Sequence, residues 1–307
     1  MLYRTALPLI FVGLWSSAFV TAKVGVQYST PFAMLLARFA IVSLIFIAAT
    51  LIARWWRRRK NKNAGAEQTD DAITTATILL TAVVGVLLHG VYLGSVFFAL
   101  SVGLSAGISA LVVSLQPLLA SFLAIFLFSE KLRLPQVAGI FTGMIGVGFV
   151  LWPKMGGGMP MLGLVSVVIG LIAITAGTLL QKHIGGRIKL LAGNVIQTVA
   201  VTLFFTVICL TVETPQIDWQ MPFILALAWQ IILVSGGAYV ILMILIQRDS
   251  MAATSSLLFL VPTVTAIIAA VGFDEPLSIF SITGFVLTSA GVFMVTRYAA
   301  PAAPKLD

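Results

Sequence analysis

QPLLASFLAIFLFSE occupies residues 116–130, and VPTVTAIIAAVGFDE occupies residues 261–275. A shift of 145 lays Pro117 on Pro262, Ala124 on Ala269, Phe128 on Phe273 and Glu130 on Glu275. The same register continues, without a gap, through Leu132 and Leu277, Gly139 and Gly284, Gly146 and Gly291, Val147 and Val292, and Val150 and Val295. A general hydrophobic bias produces alanine and valine matches, but it does not produce a shared spacing of proline, glutamate and glycines. The chain therefore contains an internal repeat, which is the first property to establish when reading a fold.

Outward from these stretches the chain is overwhelmingly apolar. Of its 307 residues 60% are hydrophobic and only 9% charged, against roughly 25% charged in a soluble domain. A helix needs about 20 consecutive apolar residues to cross a bilayer. Ten segments meet that need: 5–22, 32–53, 76–101, 104–128, 135–152, 161–180, 190–212, 222–247, 251–273 and 277–296. The first has the character of the nine that follow and reads as a retained span, not as a signal peptide. Arg38 is the one formally charged residue within them, and His89 the other titratable group of note. The expected fold is an all-α integral membrane protein of ten transmembrane helices. Residues 1–152 form a first five-helix repeat, 153–160 a linker, 161–298 a second repeat, and 299–307 a tail. The single cysteine, Cys209, excludes an internal disulfide framework and any cluster of cysteine ligands.

Five is odd, so the second repeat enters the membrane from the side opposite to the first. Six basic residues crowd 54–62 (Arg54, Arg57, Arg58, Arg59, Lys60 and Lys62), and the positive-inside rule places that connection in the cytoplasm. Alternation then puts both termini in the cytoplasm with 15 of the 18 lysines and arginines, and it puts 153–160 outside. The net charge of +8 thus follows from topology and does not call for a nucleic-acid partner. Trp55 and Trp56 sit at the interface beside the basic cluster, which suits contact with anionic lipid headgroups. For the earlier spans a shift of 159 pairs Lys23 with Lys182 and Arg38 with Gln197. Inverted repeats of this kind belong to secondary transporters, with the substrate held near the midplane where the halves meet.

Ten spans arranged five plus five, Gly13-Leu14-Trp15-Ser16-Ser17 followed by Lys23, Pro31 with Arg38, Gln116-Pro117, and the Glu130 and Glu275 turns with their following glycines resemble the EamA family of the drug/metabolite transporter superfamily. The resemblance covers essentially the whole chain. It implies a bacterial inner-membrane transporter, often an exporter of amino acids or other small metabolites, and it does not deliver the substrate.

Several residues are candidates for that task, each with a plainer reading beside it. Pro117 and Pro262 stand near the centres of spans four and nine, where proline removes a backbone hydrogen bond; their equivalent placement points to a pair of hinges. Arg38, six residues into span two, either attracts a carboxylate or phosphate, or snorkels and bonds helix carbonyls. His89, with Tyr92 on about the same face, either binds substrate or a proton, or bonds a neighbouring helix. Trp15 and Ser16, with Gln116, Asn194, Gln197 and Tyr239, outline a neutral polar cavity with aromatic walls. Singly such groups glue helices together; jointly they suit a zwitterionic or amphipathic metabolite. Lys23 reads as an interfacial anchor. Gly103/Gly107 and Gly139/Gly143 read as close helix contacts, within a monomer or across a homodimer.

No Asp or Glu lies in any span, so a facilitator or exchanger is expected, with His89 the candidate if protons are coupled. No cofactor or metal is expected. A lipid flippase of the same fold is the alternative. A membrane enzyme fits less well, since paired carboxylates, a histidine cluster and an activated nucleophile are all missing.

Overall fold

The computed structural model describes residues 2–62, 74–128, 133–155, 158–184, 188–238, 241, 245, 260–273, 275 and 277–298. Those residues are helical apart from short turns and one isolated bridge between Ser29 and Ile217. The helices are α1 (Leu2–Gly25), α2 (Pro31–Lys62), α3 (Thr75–Ser101), α4 (106–128), α5 (Leu134–Met155), α6 (Met161–Ile184), α7 (Leu190–Thr211), α8 (Met221–Ala238), α9 (Val261–Phe273) and α10 (Ile279–Arg297). Among the described residues nine are long and apolar enough to cross a bilayer, and α9 is shorter. The junction expected between spans eight and nine lies mostly outside the described residues, as do Glu130, Tyr239 and the tail at 299–307.

Two expectations are corrected here. The basic stretch at 54–62 continues the helix that precedes it: α2 runs unbroken to Lys62. It contains neither glycine nor proline after Pro31, and arginine and lysine are good helix formers. Arg59 stacks over Trp55 at 3.9 Å, and Trp55 meets Trp56 edge-on. Gly103, for its part, is not a helix-contact glycine. It turns the chain between α3 and α4 with φ +93°, and a Cβ there would meet nothing within 4 Å. Only Gly107 of that pair packs closely, against Ala266 of α9.

Large apolar side chains point outward along the bundle, as Leu9, Phe126, Leu210 and Val271 do, which is the arrangement expected in lipid. Small residues occupy the crossings, where close backbone approach supplies the packing energy. At the α5–α10 crossing a Cβ on Gly139 would lie 2.8 Å from the Gly291 carbonyl oxygen, and one on Gly146 would lie 2.7 Å from that of Gly284. Shifting Gly139–Gly291 by the repeat period turns it into Gly284–Gly146, so the crossing maps onto itself.

Two hydrogen bonds locate the pseudo-two-fold axis. Thr288 donates to the Gly143 carbonyl at 3.4 Å, across 145 residues. The Ser43 and Thr202 hydroxyls meet at 3.0 Å, across 159 residues. Each spans one of the two repeat periods read from the sequence. A residue that touches its own repeat equivalent must lie on the axis relating the repeats. The axis therefore passes through the α5–α10 and α2–α7 crossings, and between them lies the middle of the bundle.

Candidate functional site

The middle of α3 and of α8 departs from α-helical geometry in the same place. Val86–Val91 and Trp229–Ala238 are π-helical, and the 145-residue shift carries the first onto 231–236, inside the second. A π turn widens the helix by one residue per turn, loosens its backbone bonding and recurs at functional sites. In α3 it holds His89, and the amide of Tyr92, just past it, donates to the Leu87 carbonyl. In α8 it starts at Trp229-Gln230 and contains Ser235.

Arg38 reaches into the second π segment. It is 6% exposed, and its Nη2 donates to Ser235 Oγ at 3.0 Å. Ser235 in turn donates to the Gln230 carbonyl at 3.0 Å, five residues back. Arg38 therefore does not snorkel to the interface. It is held among protein groups in the bundle, as charged residues inside membranes usually are. His89 and Tyr92 lie within electrostatic reach of its guanidinium. The Phe39 ring packs 5.6 Å from the His89 ring and continues into a stack with Phe205 and Phe32.

The far side of α8 is tied to α1. Trp229 Nε1 donates to Ser17 Oγ at 2.8 Å. Gln230 is 1% exposed; its Nε2 donates to the Ala18 carbonyl at 2.7 Å and to Thr21 Oγ1 at 2.9 Å. Two buried polar atoms, Arg38 Nε and Gln230 Oε1, have no hydrogen-bond partner among the described residues. One is a donor and the other an acceptor, and such atoms are costly to leave unpaired.

The structure gathers Arg38, His89 and Tyr92 in this region and places the other described candidates elsewhere; Tyr239 lies outside the described residues. Ser16 is fully buried and donates to the Val261 carbonyl of α9 at 3.2 Å, so it joins helices. Trp15, a half-buried neighbour, packs on Phe11 at 5.4 Å. Gln116 donates to Thr178 of α6 at 2.8 Å, and Gln197 to Gln181 of α6 at 2.7 Å. Asn194 is half-buried one turn before Thr198 and accepts that hydroxyl at its carbonyl. The α4 helix breaks at Ser114-Leu115, and Pro117 stands in the first turn of the segment Gln116–Phe128. Pro262 stands at the equivalent place in Val261–Phe273. In a first turn the missing N–H costs nothing.

Three residues of consequence escaped the sequence reading, and the part played by a fourth, Lys23, was only partly read. Gln230 and Ser235 are hidden in an apolar run, where nothing marks a π turn. Lys23 forms an ion pair with Glu275 and lies over the Phe273 ring at 4.6 Å, so it is more than an interfacial anchor. The Glu213 carboxylate accepts from the amides of Phe32 and Ala33 at 3.3 and 3.0 Å. It thereby caps α2, where a negative charge at a helix N-terminus is favoured.

Comparison with known proteins accords with this architecture. Residues 5–152 match the EamA-like transporter family. The match covers just under half of the chain, and its first half is similar to that family. It is 22% identical over 167 residues to the uncharacterized transporter YvbV of Bacillus subtilis (strain 168), an alignment covering 54% of this chain and 55% of the relative; the chain thus spans about half the length of the curated relative it matches. A solved crystal structure, 20% identical, superposes with a TM-score of 0.60 over 94% of this chain and 95% of the other, a likeness of fold. The family match and the apolar helices together support a multi-pass membrane protein.

Proposed function

We propose that the protein is a secondary transporter of small zwitterionic or amphipathic metabolites, amino acids or related compounds, acting chiefly as an exporter in the inner membrane with both termini in the cytoplasm. The observation that carries this reading is a pair of buried atoms without a hydrogen-bond partner among the described residues, Arg38 Nε beside α8 and Gln230 Oε1 within it. Arg38 Nε offers a charged donor to a carboxylate, and Gln230 Oε1 offers an acceptor to an ammonium. A multivalent anion would want several cations, and only one basic side chain, Arg38, occurs in the ten predicted spans. A pseudo-two-fold axis through the middle of the bundle supports alternating access, because each repeat can adopt the shape its partner has just left.

The ligand class is tested by thermal unfolding of the purified protein in detergent with a panel of zwitterions, simple carboxylates and simple amines. Zwitterions should raise the midpoint, and Arg38→Gln should abolish that shift. Equal shifts from amines alone, persisting in Arg38→Gln, would overturn the assignment. The orientation is tested with a reporter active only outside the cytoplasm. It should be silent when fused after Asp307 and active when inserted near Gly157; the reverse pattern would invert the topology.

A further inference from the structure

The second helix outruns the membrane. The 32 residues of α2, Pro31–Lys62, span about 48 Å at 1.5 Å per residue, against a hydrocarbon core about 30 Å thick. Its apolar stretch ends at Trp56. Leu51 and Ile52 are more than half exposed, and Trp55 and Trp56 follow at 48% and 64% exposure. No apolar residue comes after them before Lys62. Tryptophan is enriched where hydrocarbon gives way to headgroups. The tryptophan pair therefore marks one edge of the membrane, and the helix continues beyond it.

Arg59 lies one turn, about 6 Å, further out than Trp55. A long side chain on a helix leans toward the helix N-terminus, which for α2 is the direction of the membrane. The Arg59 guanidinium follows that lean and sits 3.9 Å from the centre of the Trp55 ring. The contact brings the cation back to headgroup depth, and cation–π attraction holds it over the ring face. Arg59 forms no ion pair with a described residue. The described carboxylates are engaged elsewhere: Glu213 caps the opposite end of α2, Asp218 accepts from Gln220, and Glu275 pairs with Lys23. Arg54, Arg57, Arg58, Lys60 and Lys62 flank Arg59 on the same stretch of helix. Six cations less the three acids that follow, Glu67, Asp70 and Asp71, leave 54–73 at +3. Basic clusters of this size beside a membrane span match a negatively charged lipid surface.

We propose that the projecting end of α2 is a binding site for anionic phospholipid headgroups. The Arg59 guanidinium, stacked on Trp55, donates to a headgroup phosphate, and the neighbouring cations select net-negative over zwitterionic lipid. The site rests on α2 crossing a membrane and not on what the bundle transports.

Native mass spectrometry of the full chain in detergent tests this, with equimolar phosphatidylglycerol and phosphatidylcholine of identical acyl chains. The native protein should retain phosphatidylglycerol in preference, and Arg59→Gln should cut that preference about fivefold, the effect of one basic residue at a membrane surface. Trp55→Leu removes no charge, yet it should cut the preference at least about twofold, because the guanidinium loses the ring that holds it. Arg59→Lys keeps the charge but stacks less well, and should fall between the native protein and Arg59→Gln. Arg297→Gln removes another exposed arginine beside an aromatic ring, Phe293 of α10, and should leave the preference unchanged. Unfolding midpoints equal to the native value separate loss of the site from loss of the fold. Equal retention of both lipids by the native protein overturns the site. So do equal losses from Arg59→Gln and Arg297→Gln with Trp55→Leu unmoved, which would be general charge attraction. A millimolar excess of inorganic phosphate should not displace the lipid; displacement would make this a site for a free anion. Capture of polyglutamate in preference to phosphatidylglycerol would likewise overturn the proposal, in favour of an acidic protein partner.

Discussion

The α5–α10 crossing and the Arg38–α8 region are both places where the repeats meet, yet they are built on opposite lines. At α5–α10 the contact is symmetric, made by glycines whose backbones touch, and it carries one hydrogen bond along the axis. Around α8 the contact is asymmetric, polar and π-helical: Arg38 faces Ser235, whereas its repeat equivalent Gln197 faces Gln181. A backbone seam has a single good packing and resists substitution. A polar seam with a widened helix can rearrange its bonds at low cost. On the proposed reading, rigidity belongs to one side of the bundle and ligand contact to the other.

The largest effect should come from breaking the rigid seam. A side chain at Gly146 would start 2.6 Å from the Thr288 backbone nitrogen, which no rotamer change relieves. Gly146→Leu should cost about 3 kcal/mol or more, read as a collapse of the unfolding midpoint or of detergent-soluble yield. Gly148→Leu, two residues on and facing open space, should change stability by less than ~0.5 kcal/mol. Equal damage from both would erase the contrast.

Next comes Arg38→Gln, which removes the buried charge. Hydrogen bonds to charged groups contribute about 1.5–3 kcal/mol, so zwitterion affinity and flux should fall at least about tenfold. Stability should hold or rise, because a charge is costly in a membrane interior. A variant that unfolds while retaining flux would make Arg38 structural. Ser235→Ala leaves the guanidinium in place but frees it to turn, and flux should fall by about threefold, in keeping with a net ~0.5–1.5 kcal/mol for a single hydrogen bond. The smallest effect belongs to the on-axis hydroxyl pair. Ser43→Ala should cost about 0.6 kcal/mol, the mean for polar contacts between membrane helices, with flux unchanged.

The seams were not equally legible in the sequence. Glycines at 139, 146, 284 and 291 announce themselves by spacing alone, because close backbone contact admits few other residues. The spans and their repeat follow from hydropathy and from Pro117/Pro262 and Glu130/Glu275. Ser235 and Gln230 gave no such sign: their side chains find their partners on α2 and α1, some two hundred residues away in the chain. Ser16 misled for a related reason. A hydroxyl on an apolar helix reads alike whether it meets ligand or, as here, the Val261 carbonyl. Lys23 was legible in part, since its repeat partner Lys182 was visible, but its ion pair crosses 252 residues.

The central claim is that α8 and Arg38 hold a zwitterion during transport. Its most direct test is efflux from proteoliposomes loaded with a mixed metabolite extract, read by mass spectrometry, with protein-free vesicles and Arg38→Gln alongside. The account predicts selective loss of zwitterionic compounds through the native protein and at least about tenfold slower loss through the variant. Retention of every soluble compound, with labelled phospholipid exchanging between leaflets instead, would contradict it and make the protein a lipid translocase.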